Sequence, residues 1–300
     1  MVGDLVVDLL VRPEGMPEPA TDVPGRIRLM PGGAAANQAV WLARLGRAVR
    51  FAGRVGADPL GDFLLDDLRR EGVEARVERD PRLPTGSVLV WIRPDGDRAL
   101  VTSRAANAVL TARQREEALW AGVRHLMLTG YAFAAPGSRP TAVELLAGAR
   151  QRGVTVALDP ASWRLLAAYP GRETFLDDAG GVDLLLPNAA EARWLAGRDD
   201  VGEAASTLAR GCGLVVVTLG SDGALVAERG RDPVHVPAAV PRRVVDTTGA
   251  GDLFAAAFVH AWLDTGDPVG AAAYANACAA RLVAHEGARP RVALPPWPAA

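Results

Sequence analysis

Val244-Val245-Asp246-Thr247-Thr248-Gly249-Ala250-Gly251-Asp252 runs straight into the apolar stretch Leu253–Val259. The passage reads as a strand end that turns through small residues into a helix. Gly249, Ala250 and Gly251 remove side-chain bulk where an anion would approach the backbone, and a helix start offers unpaired N–H groups carrying partial positive charge. Such an anion hole suits charge developing on a phosphoryl group in transfer. Asp252, in the first helical turn, would hold its carboxylate beside the hole, ready to take a proton from an attacking hydroxyl. The plainer reading is a buried helix whose first-turn Asp bonds its own amides.

Outward from this turn, Val- and Leu-rich runs recur at Leu5–Val11, Val123–Thr129, Val154–Leu158, Val182–Leu186 and Leu214–Thr218. Continuous apolar runs of this length suit strands buried on both faces of a parallel sheet. Helical patterns fall at Ala36–Leu45, Pro59–Glu71, Thr111–Trp120, Ser138–Arg152, Ala189–Ala196, Ala250–Leu263 and Pro268–His285. The alternation predicts an α/β fold, a three-layer doubly wound and mostly parallel sheet. Two stretches break the rhythm. Arg12–Met30 is Pro-rich, and Thr85–Thr102 holds two alternating runs around the turn Pro94-Asp95-Gly96-Asp97, which predicts a β-hairpin. We therefore expect a main domain of residues 1–11, 31–84 and 103–293, a small β-sheet lid of 12–30 and 85–102, and a tail at 294–300.

Composition narrows the chemistry. All 33 basic residues among the 300 are Arg. A P-loop phosphotransferase or a eukaryotic-type protein kinase needs a Lys on the phosphates, and Schiff-base chemistry needs a Lys amine, so all three are excluded. No GxGxxG follows a strand, which argues against a dinucleotide-dependent oxidoreductase. Charges are interspersed with a formal net of −2, so no nucleic acid partner is expected. No run approaches the roughly 18 apolar residues of a membrane helix. Asp4 and Asp8 interrupt the first apolar stretch, unlike a signal peptide. A cytoplasmic protein with no membrane partner is expected. Cys212, Cys278 and the four His residues have no metal-ligand spacing.

A second constellation precedes the first helix. Pro31-Gly32-Gly33-Ala34-Ala35-Ala36-Asn37-Gln38-Ala39 places two glycines before an Ala-rich turn, with Asn37 able both to donate to and accept from a hydroxyl. Alone, it is equally a helix packed closely on a sheet.

Together the two segments resemble the two signatures of the ribokinase-like (PfkB) carbohydrate kinases. Gly32-Gly33-x-Ala35-x-Asn37-x-Ala39 continues to Gly46 and Gly56, and Asp246-Thr247-x-Gly249-Ala250-Gly251-Asp252 continues to Ala256-Ala257. The resemblance runs from Gly3 to about Arg291. It implies transfer of phosphate from ATP to a hydroxyl of a small sugar or sugar derivative, with Asp252 as base and Gly249, Ala250 and Gly251 as anion hole. Asp8, Gly32, Gly33, Asn37 and Asn107 resemble acceptor-binding residues. Asn188, Thr218, Gly220, Gly223 and Asn276 resemble ATP-binding ones, although Asn188 also reads as a helix cap, Thr218–Gly223 as a hairpin turn and Asn107 as a loop residue. Glu191 resembles a residue acting on Mg²⁺, through water where the ion keeps its shell. Asp246, with backbone near Thr248 and Gly287, resembles a K⁺ site. Arg291 stands there where a small oxygen-bearing residue is common, and its charge would oppose K⁺ unless it turns to solvent. Family members often form homodimers through the lid.

Departures from the pattern bear on the acceptor. Val6 stands where ribokinases tend to carry Asn, Ala34 where they often carry Lys, and Gly130-Tyr131 where an acid is expected. Asp159-Pro160-Ala161-Ser162-Trp163-Arg164 follows the Asp-Pro-Asn-x-Arg of fructokinases and 2-keto-3-deoxygluconate kinases with Arg one place late. A nucleoside kinase, with Tyr131, Phe133 or Trp163 stacking on a base, is the alternative within the family. A non-catalytic sugar- or nucleotide-binding protein is the alternative outside enzymes.

Overall fold

The computed structural model describes residues 1–16, 19–93, 98–111, 117–167 and 170–297. In chain order the strands are β1 (Val6–Pro13), β2 (Gly25–Gly32), β3 (Arg50–Gly56), β4 (Glu74–Asp80), β5 (Ser87–Ile92), β6 (Arg98–Ser103), β7 (His125–Thr129), β8 (Thr155–Asp159), β9 (Leu184–Leu185), β10 (Leu214–Thr218), β11 (Ala224–Glu228) and β12 (Val234–Val236). The helices are α1 (Ala34–Arg44), α2 (Pro59–Arg70), α3 (Arg139–Gln151), α4 (Trp163–Ala167), α5 (Arg172–Asp178), α6 (Ala189–Ala196), α7 (Val201–Ala209), α8 (Ala250–Thr265) and α9 (Pro268–Leu282).

The main sheet runs β12-β11-β10-β9-β8-β7, parallel from β10 to β7 and antiparallel at β11 and β12. Val2 bridges Leu128 on one side and Ala52 on the other, both in parallel, and so continues the sheet into β3 and β4. Alternate residues of the central strands enter opposite cores. Leu126, Leu128, Val156, Leu158, Val215 and Val217 pack under α3, α6 and α7, while Met127, Ala157, Leu184 and Val216 pack under α8 and α9. This two-sided burial explains the unbroken apolar runs and makes the predicted three-layer fold the observed one.

The first strand differs from expectation. Only Val2 joins the main sheet; Val6–Pro13 instead lies in a four-stranded sheet of order β2-β1-β5-β6. The two acids explain why. A strand buried on both faces cannot carry unpaired carboxylates, and from Asp8 onward β1 is only partly covered. Both irregular stretches feed this sheet. β1 pairs with β2 antiparallel along its length, and β5 pairs with β6 from Ser87↔Ser103 to Ile92↔Arg98. The predicted hairpin turn 94–97 lies outside the described residues. So do residues 112–116, half of the helix expected at Thr111–Trp120, of which Glu117–Leu119 is a 3₁₀ turn.

Candidate active site

The turn before α8 is braced from beneath. The Val245 and Asp246 amides donate to the Val283 carbonyl at 2.7 and 3.2 Å. The Asp246 carboxylate accepts from the Thr248 amide at 2.8 Å and from the Gly287 amide at 2.9 Å, tying the turn to the loop after α9. Gly249 is left-handed (φ 75°), and a Cβ there would stand 2.7 Å from the Ala288 Cα. Glycine is required at that point. Gly251 is different. A Cβ would meet nothing within 4 Å, so its bareness answers no packing need and leaves the first helical turn open to solvent.

Asp252 is half-buried at this mouth, and its Oδ2 accepts from Asn37 Nδ2 at 2.7 Å. Burial pushes the carboxyl up to about 7, with repulsion from Asp159 adding to it and the Asn37 hydrogen bond, Arg289 and Gln38 opposing it. Asn37 and Gln38 are set by the start of α1, where Gly33 (φ 98°) lies so close to β1 that a Cβ would be 2.4 Å from the Asp4 carbonyl oxygen. Gln38 is fully buried and donates to Asp159 Oδ2 at 2.5 Å. Asp8 points at Gly32, whose missing Cβ makes room for it, and burial raises its carboxyl to about 6 against the pull of Arg289.

Beside this group lie the ends of β9 and β10. Asn188 forms a parallel bridge with Thr218, and the Thr218 amide donates to Pro187 O at 2.9 Å. Asn188 caps α6: its Oδ1 accepts from the Glu191 amide at 3.0 Å, and Glu191 Oε2 accepts from the Asn188 amide at 2.9 Å. The cap reading of this pair is therefore literally present. Glu191 is buried and its carboxyl is raised to about 7, first by burial and then by Asp159. Asp159, itself raised to about 6 by burial, thus links the two halves of the site. Gly220 and Gly223 shape the β10–β11 hairpin; a Cβ on Gly223 would be 2.2 Å from Val236 O. Asn276 donates to the Val236 and Pro237 carbonyls at 3.2 and 3.0 Å, fastening α9 to the end of β12.

Several expectations change. Asn107 is buried with its Oδ1 accepting from the Leu5 amide and its Nδ2 donating to the Leu5 carbonyl, each at 2.9 Å. Its amide stands in for a neighbouring strand, so it holds the root of β1 instead of facing an acceptor. Phe133 is in the core against Phe175, 5.8 Å between ring centroids, and cannot stack on a base. Arg291 turns outward: its side chain is 75% exposed and pairs with Glu71 at 2.8 Å, away from Asp246. Among the described residues no group of three or more His, Cys, Asp or Glu is arranged to hold a metal. The residue missed altogether is Arg289, buried between Asn37 and Asp67. The site lies at the carboxyl ends of the strands, where ligands bind in open α/β sheets. A cavity of about 580 Å³ lined by Arg50 and His125 sits at their opposite ends and holds none of these residues.

Residues 1–293 match the pfkB family carbohydrate kinases. The chain belongs to the PfkB family. It is 32% identical over 280 residues to the fructokinase of Escherichia coli, covering 89% of this chain and 84% of that one. The fold superposes on the adenosine kinase of Sinorhizobium meliloti with a TM-score of 0.86 at 28% identity, covering 97% and 95% of the two chains. It also matches the ribokinase of Arabidopsis thaliana solved with ribose and ATP, with a TM-score of 0.80 at 26% identity over 96% and 92% of the chains. As a PfkB member the protein is a phosphotransferase of the sugar-kinase type, and the ribokinase-like fold is the one observed. No helix among the described residues is long and apolar enough to cross a membrane.

Proposed function

We propose that this PfkB kinase phosphorylates a hydroxyl of a small sugar or sugar derivative with Asp252 as general base. The observation that carries the reading is the Asp252 carboxylate, held at the bare start of α8 by Asn37 and poised near neutrality. A base of that pKa is matched to proton abstraction at physiological pH. The first-turn amides beside Gly251 would face the transferred phosphoryl group, and Asp8 with the Gly32-Gly33 backbone would hold the acceptor. Asn188, Thr218 and the Gly220–Gly223 hairpin would line the ATP side, with Asn276 fixing the wall behind it. One carboxylate suffices for a Mg²⁺ that keeps most of its waters and binds substrate phosphates, which fits Glu191 as an outer ligand; the ion would neutralise phosphate charge. The four-stranded sheet would act as the lid that excludes water. The expected test is Asp252→Asn: turnover falls about 10²–10⁴-fold while ATP binding persists. Near-normal ADP release would refute the role.

A nucleoside acceptor is the second reading. Leu10, Met30, Val88, Val90 and Leu100 share the face of Asp8 by strand register with Arg28 and Thr102 among them, so the wall beyond the hydroxyl-binding end is largely apolar. ADP release across sugars, sugar acids, sugar phosphates and nucleosides separates the two readings, and no turnover with any of them favours a binding protein. On the opposite face Ile27, Leu29 and Val101 are exposed, which supports dimerisation through the lid; a monomer mass in solution would reject it. With Arg291 turned away, Asp246 and the Gly287 loop remain the place for K⁺; equal turnover in Na⁺-free buffer with and without K⁺ would reject activation. The ATP requirement agrees with a cytoplasmic enzyme.

A further inference from the structure

Arg289 occupies an unusual position. Its side chain is only 6% exposed and joins three parts of the chain. Nη1 donates to Asp67 Oδ2 on α2 at 2.6 Å, Nε donates to Asn37 Oδ1 on α1 at 2.6 Å, and Nη2 reaches Gly32 O at 3.5 Å. Asn37 in turn donates from Nδ2 to Asp252 at 2.7 Å. A pairing with Asp67 alone would satisfy a buried ion pair. The bond to Asn37 adds something else.

A guanidinium has only donors and an ionised carboxylate only acceptors. An amide between them has one satisfactory orientation, oxygen to Arg289 and nitrogen to Asp252. The flipped amide would set oxygen against the carboxylate and NH₂ against the cation. We propose that Arg289 is a positioning residue: it locks the Asn37 amide in the orientation that donates to Asp252, and so aims that carboxylate and favours its ionised form. Asn37 then serves the base, its amide held between Arg289 and Asp252. The other groups around Asp252 are Gln38 from α1, Asp159 from β8 and Tyr131 after β7, and Asp8 faces Arg289 from β1. Among these side chains Arg289 is the cation, which opposes the burial that raises Asp252.

The inference rests on Asp252 as the base, and the experiment keeps the two apart. Turnover is measured against pH for the parent enzyme, for Arg289→Lys, and for Asp67→Asn with Arg289→Met, a pair that removes the Asp67 carboxylate together with its guanidinium partner. The paired variant should lose about tenfold or more in kcat, and the acid limb of its profile should move up by about one pH unit. Arg289→Lys keeps the charge and should keep the limb, yet lose turnover several-fold because an ammonium lacks the planar fork. In an Asn37→Ala background the paired change should add less than about threefold, since neighbours acting as one unit are non-additive. A native-like melt with an unmoved limb, or fully additive losses, would overturn the assignment. Should the paired variant not fold, Arg289→Lys alone and in the Asn37→Ala background decides by the same additivity. If Asp252→Asn abolishes turnover while the limb stays fixed, only the Arg289 role fails. If Asp252→Asn keeps turnover, the base itself is wrong.

Discussion

Gly249 and Gly251 stand two residues apart in one turn, and alanine should act on them in opposite ways. Gly249→Ala forces a side chain into the left-handed region and against the Ala288 backbone at 2.7 Å. Left-handed strain of about 1–2 kcal/mol plus overpacking of about 1–3 kcal/mol should lower stability by several kcal/mol. Gly251→Ala meets nothing within 4 Å in a helical turn. Removing glycine there should stabilise the fold by about 0.4–1 kcal/mol, a rise of about 1–4 °C in melting temperature for a chain of this size. The same methyl group would project where the phosphoryl group must meet the backbone. Losing one amide contact to developing charge costs about 10²–10³-fold in turnover. The expected result is a more stable, far less active enzyme, read by melting temperature and ADP release on one preparation. A Gly251→Ala protein with full activity would refute the anion hole, because the backbone would then not be approached from that side.

Two further outcomes follow from the geometry. Burial raises Asp252 and Glu191 to about 7 and Asp8 and Asp159 to about 6, from ordinary values of 3.8 for Asp and 4.5 for Glu. The fold therefore favours their protonated forms, and that stabilisation, complete below about pH 4, is lost as pH rises through 6 and 7. The ligand-free melting temperature should fall between pH 5 and 8; a rise across that window would contradict the raised carboxyls. Asn107→Ala removes both bonds to Leu5, leaving a buried amide and carbonyl unpaired. It should cost roughly 2–6 kcal/mol in denaturant unfolding at about 1–3 per unsatisfied group, while KM for the acceptor stays within about twofold, a margin of about 0.4 kcal/mol. A large KM change without loss of stability would restore Asn107 to the acceptor site.

Much of the fold was legible because two-sided burial writes itself as unbroken apolar runs. Leu214–Thr218 and Ala189–Ala196 lie where the pattern puts them. Elements with weaker local signatures escaped. β4, Glu-Ala-Arg-Val-Glu-Arg-Asp, is a charged edge strand that periodicity reads as surface, and β3 carries Gly53 between Phe51 and Val55. The run at Leu5–Val11 has strand character, but strand character alone does not say which sheet receives it. The two carboxylates carried that information: Asp4 stays buried but paired with Arg104 at 2.9 Å, and Asp8 turns to the site.

The site divides along a similar line. Residues whose role is backbone shape, such as Gly249 and Gly33, can be read locally because a turn constrains its own sequence. Residues whose role depends on a distant partner cannot. Asn107 offers the same amide whether it faces a hydroxyl or the Leu5 backbone 102 positions away, and only the fold distinguishes them. Arg289 is one of many arginines until the loop after α9 brings it to Asn37, 252 positions earlier. Its nearest clue was the neighbouring Arg291, an arginine close to an acidic anchor, and the fold reverses the weight of the two. The exposed Arg291 pairs with Glu71 at the surface, where an ion pair contributes little, whereas the buried Arg289 cannot be lost without leaving Asp67 only the looser pair with exposed Arg70 at 3.8 Å and freeing Asn37.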